Sequence, residues 1–513
     1  MKPHTKTTGV VNPGLPLGPS APGREWAPSQ DSPLPLYKQI ADYLTGFIRS
    51  GVWPAGMRLP PQRELCRQLK VNRSTLVTAL GQLTALGLIE GNRGGGTKVV
   101  ISPDETTPAP GRAGNWNDYV EEGTHYPNLP AVQAINRLEY EPGLIRLGTG
   151  EPAPELLPGA AMQAILAELA QKPLSLAYEE PLGSPRLRAA VSAHLARLGI
   201  TAPPSSILIT SGALQGLQLV ALGLLPRGGA ILLERPSYLY SIHAFQSAGV
   251  KLGGLPMDER GLLTGSIARE TRRSQAAMLY SIPSFHNPTG ILMDRERREA
   301  LMAVTEALQL PVLEDGAYQE LWLDYPPPPP LKALDHTGRV LHLGTLSKAA
   351  CPGLRIGWVV GPEPVVRRLA DIKMQSDYGA SSLSQLVAAR WLEGGYHEEH
   401  NGFLRRMLRE RRDTMLAILQ QHFTGLASWN RPAGGFYIWL SLHKPLPLRT
   451  LFRTAHKAGL LLNTGDLYDR SDNRHLRLSY AFATPEELAA GLPRLAQLIR
   501  SFKLTKKSPL PGE

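Results

Sequence analysis

Six short apolar runs recur between Ile207 and Val360, namely ILIT (207–210), AILLE (230–234), AMLYSI (277–282), PVLED (311–315), VLHLGTL (340–346) and IGWVV (356–360). None alternates polar with apolar residues, so each predicts a strand covered on both faces. Helical patterns such as 214–225 and 295–308 fall between them. Strands alternating with helices predict an α/β domain on a mostly parallel sheet. From about Pro362 the pattern becomes helical. Short strands then follow near GGFYIWL (434–440) and HLRLSYA (475–481), which predicts a smaller α+β C-terminal subdomain over about 362–503.

That domain, taken as 146–503, leaves much of the 513-residue chain unassigned, and more than one hydrophobic core is expected at this length. Residues 1–33 are rich in Pro, Gly and Ser and are expected to be a disordered leader. Residues 34–101 read as a second, small domain, 102–145 as a linker and 504–513 as a tail. In the small domain Leu36, Ile40, Leu44, Phe47 and Ile48 form one helical stripe ending at Gly51. Pro60–Pro61 open a second helix with Leu65 and Leu69 inward. Asn72 can cap a third, whose seam is Leu76, Ala79, Leu80, Leu83 and Leu86 and whose stop is Gly87. LIEGNRGGGTKVVI (88–101) then alternates around a glycine-rich tip like a β-hairpin. Three helices and a hairpin describe a winged helix–turn–helix.

The charge agrees with that. The chain carries a net +11, and between Leu34 and Val100 nine Lys/Arg face three acids. More than half of the surplus is concentrated in this segment, which points to an anionic partner and first to double-stranded DNA. In such a module the N-terminal residues of the third helix meet the bases. Here they are Arg73, suited to a guanine or a phosphate, and Ser74 and Thr75, suited to phosphate oxygens. Arg63 can reach the backbone, and Arg93 at the hairpin tip the minor groove, where Gly94 allows close approach. No apolar run approaches the ~20 residues of a membrane span, there is no signal-peptide core, and Cys66 and Cys351 are the only cysteines. A cytoplasmic protein is expected.

Lys348 follows the run VLHLGTLS and precedes Arg355 by seven residues. A lysine that forms a Schiff base with an aldehyde cofactor requires further groups, and the chain holds them in order. A ring nitrogen kept protonated needs a carboxylate at a strand end, as Asp315 in PVLEDGAY. A ring oxygen needs donors, as Asn287 in FHNPTG and Tyr318. A phosphate needs a helix N-terminus and a cation, as Ala213 and Leu214 after Gly212, with Ser347 and Arg355 beside the lysine. An aromatic residue suits the ring face, as Tyr238 in RPSYLY. No metal is expected: HEEH (397–400) spaces its histidines at i, i+3 rather than the i, i+4 of a zinc-protease helix. The glycines of RGGG (93–96) open no helix and make no dinucleotide fingerprint.

Two family resemblances rest on these motifs. Residues 34–100, with their PAGMRLPPQREL start and GGGT wing, resemble the DNA-binding domain of GntR-type regulators. That resemblance implies DNA contact by Arg63, Arg73, Ser74 and the wing around Arg93–Gly94. Lys70 and Asn72 depart from the family's commonest turn. Residues from about 145 to 503 resemble the fold-type I pyridoxal-phosphate aminotransferases. This implies pyridoxal 5'-phosphate on Lys348, Asp315 against its ring nitrogen, Asn287 and Tyr318 on its phenolate, and Ser347, Arg355, Ala213 and Leu214 on its phosphate. Ala213–Leu214 replaces a usual polar pair. The resemblance alone implies that Tyr178 in LAYEEPLGS is lent to the phosphate of a second subunit, hence a homodimer, and that Arg477 binds a substrate α-carboxylate. The two domains together are similar to the MocR subfamily, which implies a regulator sensing an amino-acid or cofactor-related ligand. A working aminotransferase acting on amino acids and 2-oxo acids is the alternative.

Overall fold

The computed structural model describes residues 34–49, 52–53, 56–85, 88–92, 96–100, 125–171, 173 and 177–502, with single positions at 26, 28–29, 32, 116, 120 and 123. It divides into two compact units, Met1–Gly123 and Thr124–Glu513.

In the first unit the helices are Leu36–Arg49, Gln62–Leu69 and Arg73–Ala85, followed by an antiparallel hairpin of Ile89–Asn92 with Gly96–Val99. The expected stripes meet in one core, where Ile40, Leu44, Ile48, Leu65, Leu69, Leu76, Ala79 and Leu83 are buried with Val99. Asn72 caps the third helix, its Oδ1 accepting from the Thr75 backbone N–H at 2.8 Å. Gly51, Leu86 and Gly87 lie outside the described residues. Of residues 1–33 the structure describes positions 26, 28, 29 and 32. Trp26 stacks on Tyr43 with ring centroids 3.7 Å apart, and Ser29 exchanges two 3.0 Å hydrogen bonds with Gln39.

The second unit is built on an eight-stranded sheet in the order Ile207–Thr210, Gly357–Val360, Val340–Thr345, Val312–Asp315, Ala276–Ser281, Ala230–Arg235, Lys251–Asp258, Gly261–Leu262. Gly357–Val360 runs antiparallel to both neighbours, the central strands run parallel, and the last two form a hairpin. Alternate residues serve opposite faces. Leu208 and Val359 join one core with helix Ala213–Gly223, while Ile207, Ile209, Trp358 and Val360 join another with helices Pro185–Arg197 and Ser382–Glu393. The six apolar runs all form strands. Lys251–Asp258 was not expected, because two glycines and a proline dilute its apolar signal.

A smaller sheet of Ala427–Trp429, Tyr437–Leu442, His475–Ser479 and Asn463–Thr464 is backed by helices Tyr396–Phe423 and Pro485–Ser501. Two boundaries differ from the sequence reading. The segment 102–145 is not linker throughout, since helix Pro130–Leu138 buries Ile135 and Leu138 against Leu461, Leu467 and Tyr468. Ile145–Arg146 then pairs in parallel with Leu460–Leu461. Short elements whose partners lie three hundred residues away carry little local periodicity. Helices Glu363–Met374 and Ser382–Glu393, assigned by position to the C-terminal subdomain, pack their apolar faces on the large sheet instead.

Candidate cofactor cavity and nucleic-acid face

The parallel strands end together, and the loops that leave them surround a cavity of about 280 Å³. Such crevices at the carboxyl ends of strands are where open α/β sheets bind ligands. Lys348, Asp315, Asn287, Tyr318, Tyr238, Ser347, Arg355, Ala213, Leu214 and Arg477 all line it. They come from seven separate stretches of chain, and the sheet's register brings them together: Leu343 stands opposite Asp315.

Asp315 is the last residue of Val312–Asp315 and is 5% exposed. Its Oδ2 accepts from the Tyr280 hydroxyl at 2.8 Å and its Oδ1 from the Ala317 N–H at 3.1 Å. Among the described residues no guanidinium or ammonium forms an ion pair with it, and burial raises its pKa above the ordinary value. A cation meeting this carboxylate inside the cavity would offset that cost. Asn287 Nδ2 donates to the Tyr318 hydroxyl at 3.4 Å, and that hydroxyl lies 2.9 Å from the Tyr437 hydroxyl. Burial holds the Tyr318 phenol well above its ordinary pKa, so it stays a donor.

On the opposite wall Gly212, at φ +86°, turns the chain from strand into helix Ala213–Gly223. The first N–H groups of a helix have no partner within it and attract anions. Arg355 crosses this turn, donating from Nη1 to Ser347 Oγ at 3.1 Å and from Nη2 to the Ser211 carbonyl at 3.3 Å. Glycine suits 212 because side chains rarely adopt this positive φ, and a Cβ there would also push the Arg355 guanidinium aside. Arg355 itself adopts φ +54°, a conformation that costs a non-glycine residue roughly 1 kcal/mol or more and clusters at ligand sites. Lys348 Nζ donates to the Gly150 carbonyl at 2.7 Å.

Arg477 is 6% exposed, donates to Asn287 Oδ1 at 2.9 Å and to the Gly148 carbonyl at 2.7 Å, and is flanked by the rings of Tyr437 and Tyr468 at 4.2 and 4.9 Å. Its Nε has no partner. Tyr178 is not among the cavity residues: it is 82% exposed, edge-on to Tyr378 at 5.0 Å. The sequence reading missed Tyr437, Tyr280 and Gly150. Tyr437 was visible only as part of a strand, and a carbonyl that meets the lysine leaves no mark on residue type.

In the first unit Arg63, Arg73 and Ser74 are exposed and Thr75 half-buried. Neither arginine has an ion-pair partner among the described residues. The Ser74 and Thr75 hydroxyls donate to Asn72 Oδ1 at 2.9 and 2.7 Å, which leaves their oxygens able to accept. Arg93 and Gly94 lie outside the described residues.

His397 meets Glu320 and His194 across the fold, with His397 Nε2 3.0 Å and His194 Nε2 3.2 Å from the same carboxylate oxygen. This resembles a two-histidine, one-carboxylate metal site, but the donors argue otherwise. The Trp391 indole can only donate, and it donates to His397 Nδ1 at 3.0 Å. Arg197 likewise faces His194 Nδ1 at 3.3 Å. Each Nδ1 thus faces a donor, which favours the proton on the Nε2 turned to Glu320, while Asn401 Nδ2 also stands 3.0 Å from His397 Nε2 and His194 Nε2 makes no hydrogen bond among the described residues.

The model of the family "Aminotransferase class I and II" matches residues 142–495, and that of "Bacterial regulatory proteins, gntR family" residues 36–99. The chain is 47% identical over 481 residues to the uncharacterized HTH-type transcriptional regulator YisV of Bacillus subtilis, covering 94% of this chain and 99% of that protein. It is 30% identical over 447 residues to the HTH-type transcriptional regulator NorG of Staphylococcus aureus, covering 86% and 100%. Among solved structures, a Pyrococcus horikoshii kynurenine aminotransferase in complex with PMP is similar at TM-score 0.71 and 30% identity, covering 75% of this chain and 98% of that one. A multiple substrate aminotransferase from Thermococcus profundus is similar at TM-score 0.69 and 28% identity, covering 75% and 98%. The chain belongs to the GntR family of bacterial regulatory proteins, in its MocR-type form with an aminotransferase class I and II domain. No helix of the described residues is long and apolar enough to cross a membrane.

Proposed function

We propose that the protein is a pyridoxal-phosphate-dependent regulator of transcription, cytoplasmic and homodimeric, whose larger unit senses an amino-acid-like ligand. The observation that carries this reading is Asp315, buried without an ion-pair partner in one cavity with Lys348 and a helix N-terminus. Pyridoxal phosphate supplies an aldehyde that condenses with primary amines and a ring that withdraws electrons. Asp315 would keep the ring nitrogen protonated, and Asn287 and Tyr318 would donate to the ring oxygen. Ser347, Arg355 and the N–H groups of Ala213 and Leu214 would hold the phosphate, with Tyr238 against the ring face. Arg477 would take the ligand's α-carboxylate in a bidentate pair.

Tyr178, exposed and not among the residues that line its own chain's cavity, suits a contact to the phosphate bound by a second subunit. A monomer at micromolar concentration in sedimentation would remove that part. In the winged unit Arg63, Arg73, Ser74 and Thr75, with Arg93 and Gly94 of the hairpin tip, would contact DNA.

Catalysis of transamination is a second reading, favoured by the presence of Arg477 in one cavity with Lys348, Asp315, Asn287, Tyr318, Ser347 and Arg355. The first test is Lys348→Ala. The parent protein should keep the cofactor covalently after borohydride reduction, and the variant should lose it entirely. Reductive labelling of another lysine in the variant would end the assignment. Turnover of amino acids with 2-oxo acids, without preference for any DNA sequence, would make the second reading the better one.

A further inference from the structure

Beside the cofactor cavity lies a larger one of about 450 Å³, and the two share Leu214, Tyr238 and Arg477. Apart from two histidines, its lining carries one full charge of each sign, Arg477 and Glu139. Arg477 is 6% exposed and its Nε is unpartnered, so its charge is committed to the cavity and to two tyrosine rings. Glu139 accepts one hydrogen bond, from Thr149 Oγ1 at 2.9 Å. Among the described residues no guanidinium or ammonium pairs with it.

Two features place negative potential beside Glu139. It is the C-cap of helix Pro130–Leu138, and the C-terminal end of a helix carries the negative pole of the macrodipole, which favours cations and repels carboxylates. A second carboxylate also stands near: burial, and then the Glu139 charge, raise the pKa of Glu151, against the pull of Lys348 and Arg146. A half-buried carboxylate at a helix C-terminus, with no cationic partner among the described residues and lining a cavity, suits a cation that enters the cavity.

We propose that the sensed ligand is an amino acid with a second, cationic group on its side chain, its α-carboxylate on Arg477 and its side-chain cation on Glu139. This rests on the reading of the large unit as a cofactor-loaded sensor. It adds what that reading leaves open, the chemical class of the side chain.

The test uses full-length protein loaded with pyridoxal phosphate and titrated in a calorimeter with L-lysine, L-ornithine, L-norleucine and L-glutamate. Visible absorption, recorded in parallel, reports that each sample holds cofactor. Norleucine has the length of lysine without its amine. Lysine or ornithine should bind at least tenfold more tightly than norleucine, with glutamate weakest. In Glu139→Gln, which keeps an acceptor for Thr149, the ratio to norleucine should fall below about twofold, while Glu139→Asp should retain the order. Norleucine binding as tightly as both cationic amino acids to the parent protein overturns the proposal. So does an unchanged ratio in Glu139→Gln, or the absence of binding by all four to loaded protein. If the parent shows no cofactor absorption at all, the reading of the large unit fails instead.

Discussion

In the winged unit the side chains assigned to chemistry project into solvent from two adjacent helices, and Arg63, Arg73 and Ser74 are all exposed. In the larger unit they converge from Gly150 to Arg477, and Asp315, Asn287, Tyr318 and Arg477 are all buried. Surface cations act on a partner through water, where salt screens them within about 8–10 Å. Buried groups act at contact distance in a medium that strengthens each interaction and penalises each unpaired charge. Function and stability are therefore separable in the first region and entangled in the second. On the proposed reading a substitution of Arg73 should touch binding alone, whereas one near Asp315 also changes what the fold must bury.

The largest effect that tests this contrast lies in the winged core. Leu76 is fully buried there with Leu65, Leu69 and Leu83. Leu76→Ala should cost ~2–5 kcal/mol, a large share of what so small a core supplies. DNA binding should be lost, with the cofactor absorption of the larger unit retained, as differential scanning calorimetry and visible spectra on one sample would report. Loss of both together would mean that the two units do not unfold independently.

The same contrast explains what was legible in the sequence. In the winged unit the three helices, the Asn72 cap and the hairpin could be read, because helix periodicity, a capping residue and a glycine-rich tip are local signals. Most residues that line the cavity were legible because they lie at or just beyond the ends of apolar runs that read as buried strands, whereas Arg355 precedes its strand and Arg477 lies within one and was expected from the resemblance alone. What could not be read depends on approach across the fold. Gly150 must be glycine because a Cβ would stand 2.5 Å from the Tyr437 hydroxyl, a constraint set by a residue almost three hundred positions away. Helix Pro130–Leu138 was lost in a stretch read as linker, although it contributes Glu139 and part of the larger cavity's wall. His397 was weighed against His400 along one helix, while its true neighbours, Glu320 and His194, come from elsewhere.

A second test probes entanglement in the larger unit. Glu234 is 1% exposed near the end of strand Ala230–Arg235. It accepts from Ser281 Oγ at 2.5 Å and from the Ile282 N–H at 3.1 Å, and its Oε2 faces the buried His286 Nε2 at 4.0 Å. Burial raises its pKa from the ordinary 4.5 to about 7, and the nearby Asp315 adds to the rise. The raised value means that the folded protein holds this proton more tightly than the unfolded chain. Its contribution is fully present below pH 4.5 and is lost as pH rises through about 7. Burial lowers His286 to about 3, so it stays neutral over that window. Glu234→Gln, which needs no proton to be neutral, should match the parent at pH 4 and exceed it by about 3 kcal/mol at pH 8, the converted shift. Denaturant unfolding at several pH values measures the difference. A gap that does not grow with pH would mean that water reaches Glu234 and that burial there is not what sets its charge.

The smallest effect is the one that most directly separates the two regions. Arg73 opens the third helix and is exposed, where a winged helix meets base edges. Losing a bidentate contact to guanine costs ~1–3 kcal/mol, or roughly ten- to hundredfold in specific affinity. Arg73→Ala should therefore reduce the preference for the protein's own upstream region over scrambled DNA by that factor. Arg63→Ala, if that side chain meets phosphate only, should weaken binding to both sequences alike and lower the slope of log affinity against log salt by about one. Neither should alter the unfolding midpoint or the cofactor spectrum, because neither side chain packs in a core. Fluorescence anisotropy at two salt concentrations reads the affinities, and thermal unfolding and visible absorption of the same samples read the midpoint and the cofactor. Equal losses of own-site and scrambled-site affinity in Arg73→Ala would reassign Arg73 to the phosphates. A fall in its unfolding midpoint would instead show that exposure in this unit does not make function separable from stability.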